Sequence, residues 1–580
     1  MFLSGFILLS VLHAQERDAY FLHTIERGQS LYSLSTTYGV SQAEIIRLNP
    51  GAENTIYAGQ TLKIPQSQGV VQSEIYHTIQ QGETLYRLTV KYSISAKEIC
   101  DENPGLSAEN FKIGEVIRIP VNKKPEIKEE NAQIQPAVES RCKDMHKVKR
   151  KETIFSVSRK YGITEDELRA ANPELKDGMK RGQLLCIPYP KPRAERKQAE
   201  DLFKVPPSDR ELFRKNKESS ENISAIKAAI ILPLTLEGEN KNESAIMVEY
   251  YEGFLIAIDS LKRKGVSVDL YIYDSGSRSA SLTPILAKEE LTQMHVIFGP
   301  LYQEHVPALA SFADEHHIRL VIPTMSKVNE VFQNPYIYQI NTPQSYLYSE
   351  VNEHFCRLFP NANVIVLDMQ TDESDKQEFI NGLKQELHQK SIPVQVLNGN
   401  DLSLPALKEA INSDRDNIFI PTSGSDLALI KIIPQLKLLK MEEPDAKTIL
   451  FGYPEWQRYT KDHLESFYEL NTYFYSSFYT NNLLPSAINF INSYQKWYSK
   501  EMRNNYPKFG MLGFDTAFFF LSGLSKHGTG LENNLHKMNL LPIQTGFKFE
   551  RVNNWGGFIN KKVFFVHFTK EYELIKLDFD

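Results

Sequence analysis

The residues best able to do covalent or metal chemistry are few and badly placed for it. The four cysteines, Cys100, Cys142, Cys186 and Cys356, include no Cys-x-x-Cys pair. Zinc peptidases need histidine ligands at helical or strand spacing; the one cluster, His316-His317 after Asp314-Glu315, is a pair of neighbours that point different ways from a helix. No Gly-x-Ser-x-Gly elbow, phosphate-cradling loop or dinucleotide fingerprint occurs. A carboxylate pair able to cleave a glycosidic bond can lie anywhere in an α/β chain, so wall hydrolysis stays open as an alternative. The expectation is a protein with no catalytic residue, no metal and no cofactor. What recurs is a hydroxyl and an asparagine at an interval of 19: Ser30 to Asn49, Thr84 to Asn103, Thr153 to Asn172. Chance does not keep one interval three times, so the chain contains a repeat.

The elements that position these residues come from comparing the chain with itself, because a missed repeat misassigns a fold. HTIERGQSLYSLSTTYGVSQAEIIRLNP, HTIQQGETLYRLTVKYSISAKEICDENP and HKVKRKETIFSVSRKYGITEDELRAANP align without a gap, and each runs on to a Gly and an Ile-Pro. The pattern predicts a short strand (Thr24-Ile25, Thr78-Ile79, Lys147-Val148), then a helix capped by Ser30, Thr84 or Thr153. Apolar residues at i, i+3 and i+7 give each helix one core face: Leu31, Leu34, Tyr38; Leu85, Leu88, Tyr92; Ile154, Val157, Tyr161. A second helix opens on a capping box, Ser41 with Glu44, Ser95 with Glu98, Thr164 with Glu167, and ends at Asn-Pro. A last strand, TLKIP, VIRIP or LLCIP, returns to the first and completes a β-α-α-β unit of about 45 residues.

These units closely resemble the LysM domain, in the loop glycine and hydroxyl, the Leu-x-x-Leu helix ending in Tyr, the central Asn-Pro and the closing Ile-Pro, over residues 23–65, 77–120 and 146–188. The resemblance implies binding of N-acetylglucosamine-containing glycan of peptidoglycan, largely through backbone amides, in a groove between the first strand–helix loop and the loop before the last strand. Carried over by position, the groove uses Gly28, Gln29, Ser30 and Leu31 with Ile56 and Tyr57 in the first copy. In the second it uses Gly82, Glu83, Thr84 and Leu85 with Phe111 and Lys112. The third copy departs, because Lys151 replaces the loop glycine at a backbone position suited to positive φ; it is expected to be the weakest glycan binder. The bland alternative is that the hydroxyls are only helix caps and the repeats only spacers. Three linked copies weigh against it, since modest affinities multiply through effective concentration.

Cys142 and Cys186 bracket the third repeat, with bounds of 142–188 once the first cysteine is included, on strands that should be antiparallel neighbours, so a disulfide is geometrically reasonable. It would close a loop of about 44 residues and contribute on the order of 4 kcal/mol. That fits an oxidising compartment. Cys100 and Cys356 are expected in cores. Residues 1–14 read as a secretory signal, with an apolar run from Phe2 to Leu12 and cleavage after Ala14. The expected location is secreted, periplasmic or cell-wall associated, with no membrane span in the mature form. A net charge of −6 gives no support to nucleic-acid binding. Residues 121–140 and 189–223 are charged, proline-bearing and without apolar periodicity. They read as linkers that let the repeats and the C-terminal region move independently.

From about Ser224 apolar strands alternate with amphipathic helices. AAIILPL, VDLYIYD, HVIFGP and IRLVIPTMS form one series, and VIVLD, VQVL, NIFIPT and TILFG restart it after Asn341. Continuous apolar strands interleaved with helices mean mostly parallel sheets covered on both faces. The chain is therefore read as multidomain, three small α+β modules followed by a two-lobed, doubly wound α/β domain at 224–580. This last part resembles type I periplasmic binding proteins such as branched-chain amino-acid receptors. The resembling residues are Tyr251-Glu252-Gly253, Phe298-Gly299-Pro300, Ile322-Pro323-Thr324-Met325-Ser326, Gly513-Phe514-Asp515 and the late GFKFERV and KKVFFVHF segments. The resemblance implies a ligand held between closing lobes by loops at strand C-termini. Thr324 and Ser326 are the first crevice candidates, and Tyr302 and Gln303 the next. Gly299-Pro300 is followed by Leu301-Tyr302-Gln303-Glu304 rather than a hydroxyl-rich loop, so an α-carboxylate grip is not expected there. Two readings stay open beside hydrolysis: a receptor for amino acids or wall fragments, and a docking surface for an envelope protein.

Overall fold

The computed structural model describes residues 20–579 apart from 27, 54–55, 66–73, 121–141, 150–151, 189–206, 217–220, 236–240, 370–375, 400–401, 483 and 539. The expected signal segment, linker 121–140, most of linker 189–223 and the substituted Lys151 lie outside the described residues. The described residues form two compact units. One draws on Met1–Glu83, Tyr92–Val121 and Phe213–Asp580, the other on Thr84–Lys91 and Asn122–Leu212.

Each repeat is the β-α-α-β unit its pattern predicts. In the first, β1 (Tyr20–Thr24) and β2 (Thr61–Pro65) pair antiparallel around the helices Leu31–Tyr38 and Gln42–Leu48. In the second, β3 (Glu74–Thr78) pairs with β4 (Val116–Pro120), and in the third β5 (Asp144–Lys147) pairs with β6 (Leu184–Ile187). The caps are made as expected: Ser30 Oγ accepts from Ser33 N, Ser41 Oγ from Glu44 N, and Thr153 Oγ1 from Ser156 N. The recurrent asparagine is a structural pin. Asn49 Nδ2 donates to the Ile45 and Lys63 carbonyls while its Oδ1 accepts from Lys63 N, so one amide ties the second helix to the last strand. Asn103 and Asn172 repeat this with Ile99 and Arg118, and with Leu168 and Cys186. The Cys142–Cys186 disulfide is formed. Cys356 is buried, but Cys100 is only half-buried.

The large domain has two seven-stranded sheets. Its first lobe contains β7 (Ile226–Leu232), β8 (Val268–Asp274), β9 (Val296–Phe298), β10 (Arg319–Ile322) and β11 (Ile337–Gln339). The second contains β12 (Ala362–Asp368), β13 (Val394–Asn398), β14 (Asp416–Pro421), β15 (Thr448–Gly452) and β16 (Tyr473–Ser476). The chain then returns: β17 (Phe549–Arg551) and β18 (Phe558–Asn560) extend the first sheet, while β19 (Phe564–Phe568) and β20 (Leu574–Asp578) extend the second as an antiparallel edge. Strand orders are 17-18-11-10-9-7-8 and 13-12-14-15-16-19-20.

Two of the weak sequence motifs prove to be packing devices. A Cβ on Gly253 would lie 1.7 Å from the Gly510 carbonyl oxygen, and one on Gly513 1.9 Å from that of Tyr250. The helices Lys241–Lys262 and Phe509–His527 therefore cross backbone to backbone, which no larger residue permits. Buried Asp515 accepts from the amides of Ile543, Gln544 and Thr545 at 2.8 Å each and so fixes the returning segment. Burial pushes its carboxyl up to about 6 despite those three donors.

The first two repeats are not free of the large domain, contrary to the expectation from the linkers. The β17–β18 turn carries Trp555, 1% exposed, into the core of the first repeat beside Phe21, Tyr38 and Ile64. Its ring lies 6.0 Å from Tyr38 and 5.3 Å from Tyr76, with the Arg118 guanidinium 5.2 Å from its centre. Asn554 donates to the Val116 carbonyl and accepts from Gly105 N. A linker composition predicts freedom only for a head with nothing to dock on. The 189–223 linker also contains a helix, Asp209–Asn216, opened by a Ser208–Glu211 capping box.

Candidate functional site

The bonds that close the loop expected to meet glycan are the same in each repeat. In the first, Gln29 Oε1 accepts from Glu26 N at 3.0 Å and bonds His23 Nε2 at 2.7 Å, while His23 Nδ1 meets the Tyr38 hydroxyl at 2.8 Å. Glu83 with His77 and Tyr92, and Glu152 with His146 and Tyr161, reproduce this arrangement. The residue six after the histidine thus closes the turn and locks it to that buried histidine. Sequence reasoning missed this histidine–tyrosine pair. Its signal was present, since a histidine opens each repeat and the acid or amide follows six residues later. Burial lowers the pKa of His23.

Gly28 and Gly82 hold φ of 83° and 78°, the left-handed region that glycine enters freely. Gly28, Gln29, Ser30 and Leu31 are half-buried, and Leu31 and Ile56 both border the first repeat's core, while Tyr57 is 50% exposed. In the second repeat Gly82, Glu83 and Thr84 are open or half-open, and Thr84 Oγ1 accepts from Arg87 N. The Leu85 side chain is fully buried and cannot touch a sugar; its N–H donates to Asp209 at 2.8 Å. Lys112 is exposed, and the Phe111 ring packs against Phe213 at 5.9 Å.

The second site is a cavity of about 430 Å³ where the lobes meet. It lies at the C-terminal ends of β10, β11, β15 and β16, as open α/β sheets dictate. Thr324 lines it, with Asn341, Gln344, Glu455 and Arg458. Glu455 Oε1 accepts from Lys376 Nζ at 2.8 Å and Gln344 Nε2 at 3.1 Å; its Oε2 and Thr324 Oγ1 are buried without a hydrogen-bond partner. Arg458 is exposed. Ser326, Tyr302 and Gln303 do not line this cavity. Tyr302 is 2% exposed beneath Arg278, and the Ser326 carbonyl accepts from Gln339 instead. The residues that sequence reasoning missed, Glu455 and Arg458, sit on the turn Pro454–Arg458 after β15, where no motif announces them.

Residues 23–65, 77–120 and 146–188 each match the LysM domain family. The chain carries three LysM domains. It is 26% identical over 187 residues to the N-acetylmuramoyl-L-alanine amidase sle1 of Staphylococcus epidermidis, covering 32% of this chain and 56% of that one. It is 25% identical over 180 residues to sle1 of Staphylococcus aureus, covering 29% and 53%. The chain thus spans about half the length of the curated relatives it matches. Among solved structures, an ABC transporter substrate-binding protein from Desulfitobacterium hafniense in complex with Leu is similar over 61% of this chain and 100% of that one, with a TM-score of 0.36 and 12% identity. A putative branched-chain amino acid ABC transporter protein from Rhodospirillum rubrum gives 60%, 99%, 0.43 and 13%. Among the described residues no helix is long and apolar enough to cross a membrane.

Proposed function

We propose that this chain is a non-catalytic protein of the cell envelope or wall that binds peptidoglycan N-acetylglucosamine glycan through its LysM repeats and holds a small polar ligand in the crevice of its large domain. The observation that carries the wall-binding part is the shared closure of the loop, in all three repeats bonded to its histidine by the residue six after it. In the first two, Gly28 to Leu31 with Ile56 and Tyr57, and Gly82 to Thr84 with Phe111 and Lys112, are the proposed contacts. Glycan binding needs no charge change and no nucleophile. The crevice reading is supported by two buried, unpartnered oxygens, Glu455 Oε2 and Thr324 Oγ1, because such groups are costly unless something pairs with them. A ligand offering a donor to Glu455 and an acceptor to Arg458 fits; amino acids and wall fragments have that chemistry.

Purified sacculi should carry the full-length oxidised chain into the pellet, and N-acetylglucosamine oligomers should release it. A chain left wholly in the supernatant contradicts wall binding. Thermal shift with amino acids and muropeptides tests the crevice, where a binder should raise Tm in the parent and less in Glu455→Gln. A second reading, docking of an envelope protein, is favoured by the helix Asp426–Glu442, which turns Leu427 and Met441 to solvent, 70% and 79% exposed. Specific capture of one protein, lost in Leu427→Ser/Met441→Ser, would support it.

A further inference from the structure

The first LysM domain touches both lobes of the large domain, by very different means. On the first lobe it is anchored through Trp555, through Gln333 Nε2 donating to the Thr37 carbonyl at 2.6 Å, and through the Tyr32 hydroxyl donating to Asn329 at 2.8 Å. On the second lobe it touches with its proposed sugar loop and with Tyr32 and Ser33 of the helix that follows, which lie against Tyr346. A Cβ on Gly28 would lie 3.2 Å from Ser349 Oγ and 3.6 Å from the Tyr346 carbonyl oxygen, so the loop backbone rests on the first turns of the helix Gln344–Leu358. That helix belongs to the second lobe's core through Val351, Phe355 and Cys356. It begins at Gln344, which lines the crevice and bonds Glu455.

The second contact is poorly satisfied. Ser349 Oγ is buried there without a hydrogen-bond partner, and burial raises the pKa of Tyr346, with Tyr32 of the LysM domain adding to the rise and Ser33 opposing it. An unpaired buried hydroxyl opposes this contact, whereas the Trp555 anchor buries a whole indole ring in the first repeat's core. The weak side of the grip is therefore the side that a glycan would occupy.

We propose that the first LysM domain is a latch across the two lobes: its sugar loop holds the helix Gln344–Leu358 until wall glycan takes the loop, and release of that helix alters the crevice that Gln344 lines. This rests on the wall-binding reading. Linkage makes it reciprocal, so a ligand that fixes the lobes closed must change the affinity of this domain for glycan.

Ser349→Trp, which leaves the sugar loop's own sequence intact, tests the latch in the full-length oxidised chain with the N-acetylglucosamine tetramer as probe. The bulky ring should push the loop off, so that amides 28–34 exchange faster with deuterium. If the latched form holds about 90% of molecules, the first domain should bind tetramer on the order of tenfold tighter. In the parent chain, tetramer should speed exchange at residues 344–352, a measurement that needs no variant and stands even if Ser349→Trp folds poorly. Unchanged exchange at 344–352 under saturating tetramer overturns the latch. Unchanged tetramer affinity in a folded Ser349→Trp chain overturns it as well, while leaving wall binding intact. A chain that binds tetramer in neither form overturns the latch and the wall-binding reading together.

Discussion

The first and third LysM domains share a fold and a loop design but are completed in opposite ways. Units of this size bury too little surface to be secure alone. The third supplements its small core, Val148, Val157, Leu168, Leu185 and Ile187, with the Cys142–Cys186 disulfide. The first has no cysteine and takes Trp555 from the large domain as a core residue. The difference teaches that a repeat's sequence can fix its local fold while its stability is supplied from more than 450 residues away. It also separates the sources of stability, one copy drawing a core residue from the large domain and the other a disulfide from its own sequence.

The largest expected effect is from Trp555→Ala. Removing a fully buried indole costs about 3–5 kcal/mol; here it should melt or undock the first LysM domain in guanidinium while the large domain's own transition stays near its original midpoint. If the two transitions fall together, the large domain depends on the dock as much as the first repeat does. Cys142→Ser/Cys186→Ser should cost the third domain about 4 kcal/mol and leave the first unchanged, read as protease sensitivity at 144–188 without new cleavage at 20–65. Tyr32→Phe, which removes one hydrogen bond to Asn329, should weaken the dock by only about 1 kcal/mol.

The smallest effect is one of pH. His23 is held neutral by burial, with its pKa below the usual histidine range. Its contribution is therefore fully present above pH ~6.5 and is lost as pH falls through the lowered native value. The first domain should loosen on acidification from pH 7.5 towards 5. Gln29→Glu, which supplies the carboxylate that Glu152 offers His146, should blunt that loss; equal acid sensitivity in parent and variant would count against the assignment.

The repeats were legible because their signals are local. Ser30, Ser41 and Asn49 act within twenty residues of one another, and Cys142 and Cys186 lie on strands whose pairing the pattern dictates. The alternation of strands and helices gave the two lobes for the same reason. Trp555 was not legible: in Asn553-Asn554-Trp555-Gly556-Gly557 it reads as a hairpin turn, and nothing near it names Tyr38 or Tyr76 as partners. The helix Asp209–Asn216 escaped because it buries no side chain and so shows no apolar period. In the crevice, Thr324 follows a recognisable strand, but Glu455 and Arg458 depend on how a second lobe folds back over it, which no spacing encodes.

Native-state hydrogen exchange on the oxidised full-length chain tests the contrast between docked and stapled repeats most directly. Amides of β1 and β2 should open with the β17–β18 hairpin, at the same free energy and with the same denaturant dependence, while β5 and β6 open separately and lose protection on reduction. If β1 and β2 instead exchange together with β5 and β6, indifferent to the hairpin, the first repeat is not held by the large domain and the account is wrong.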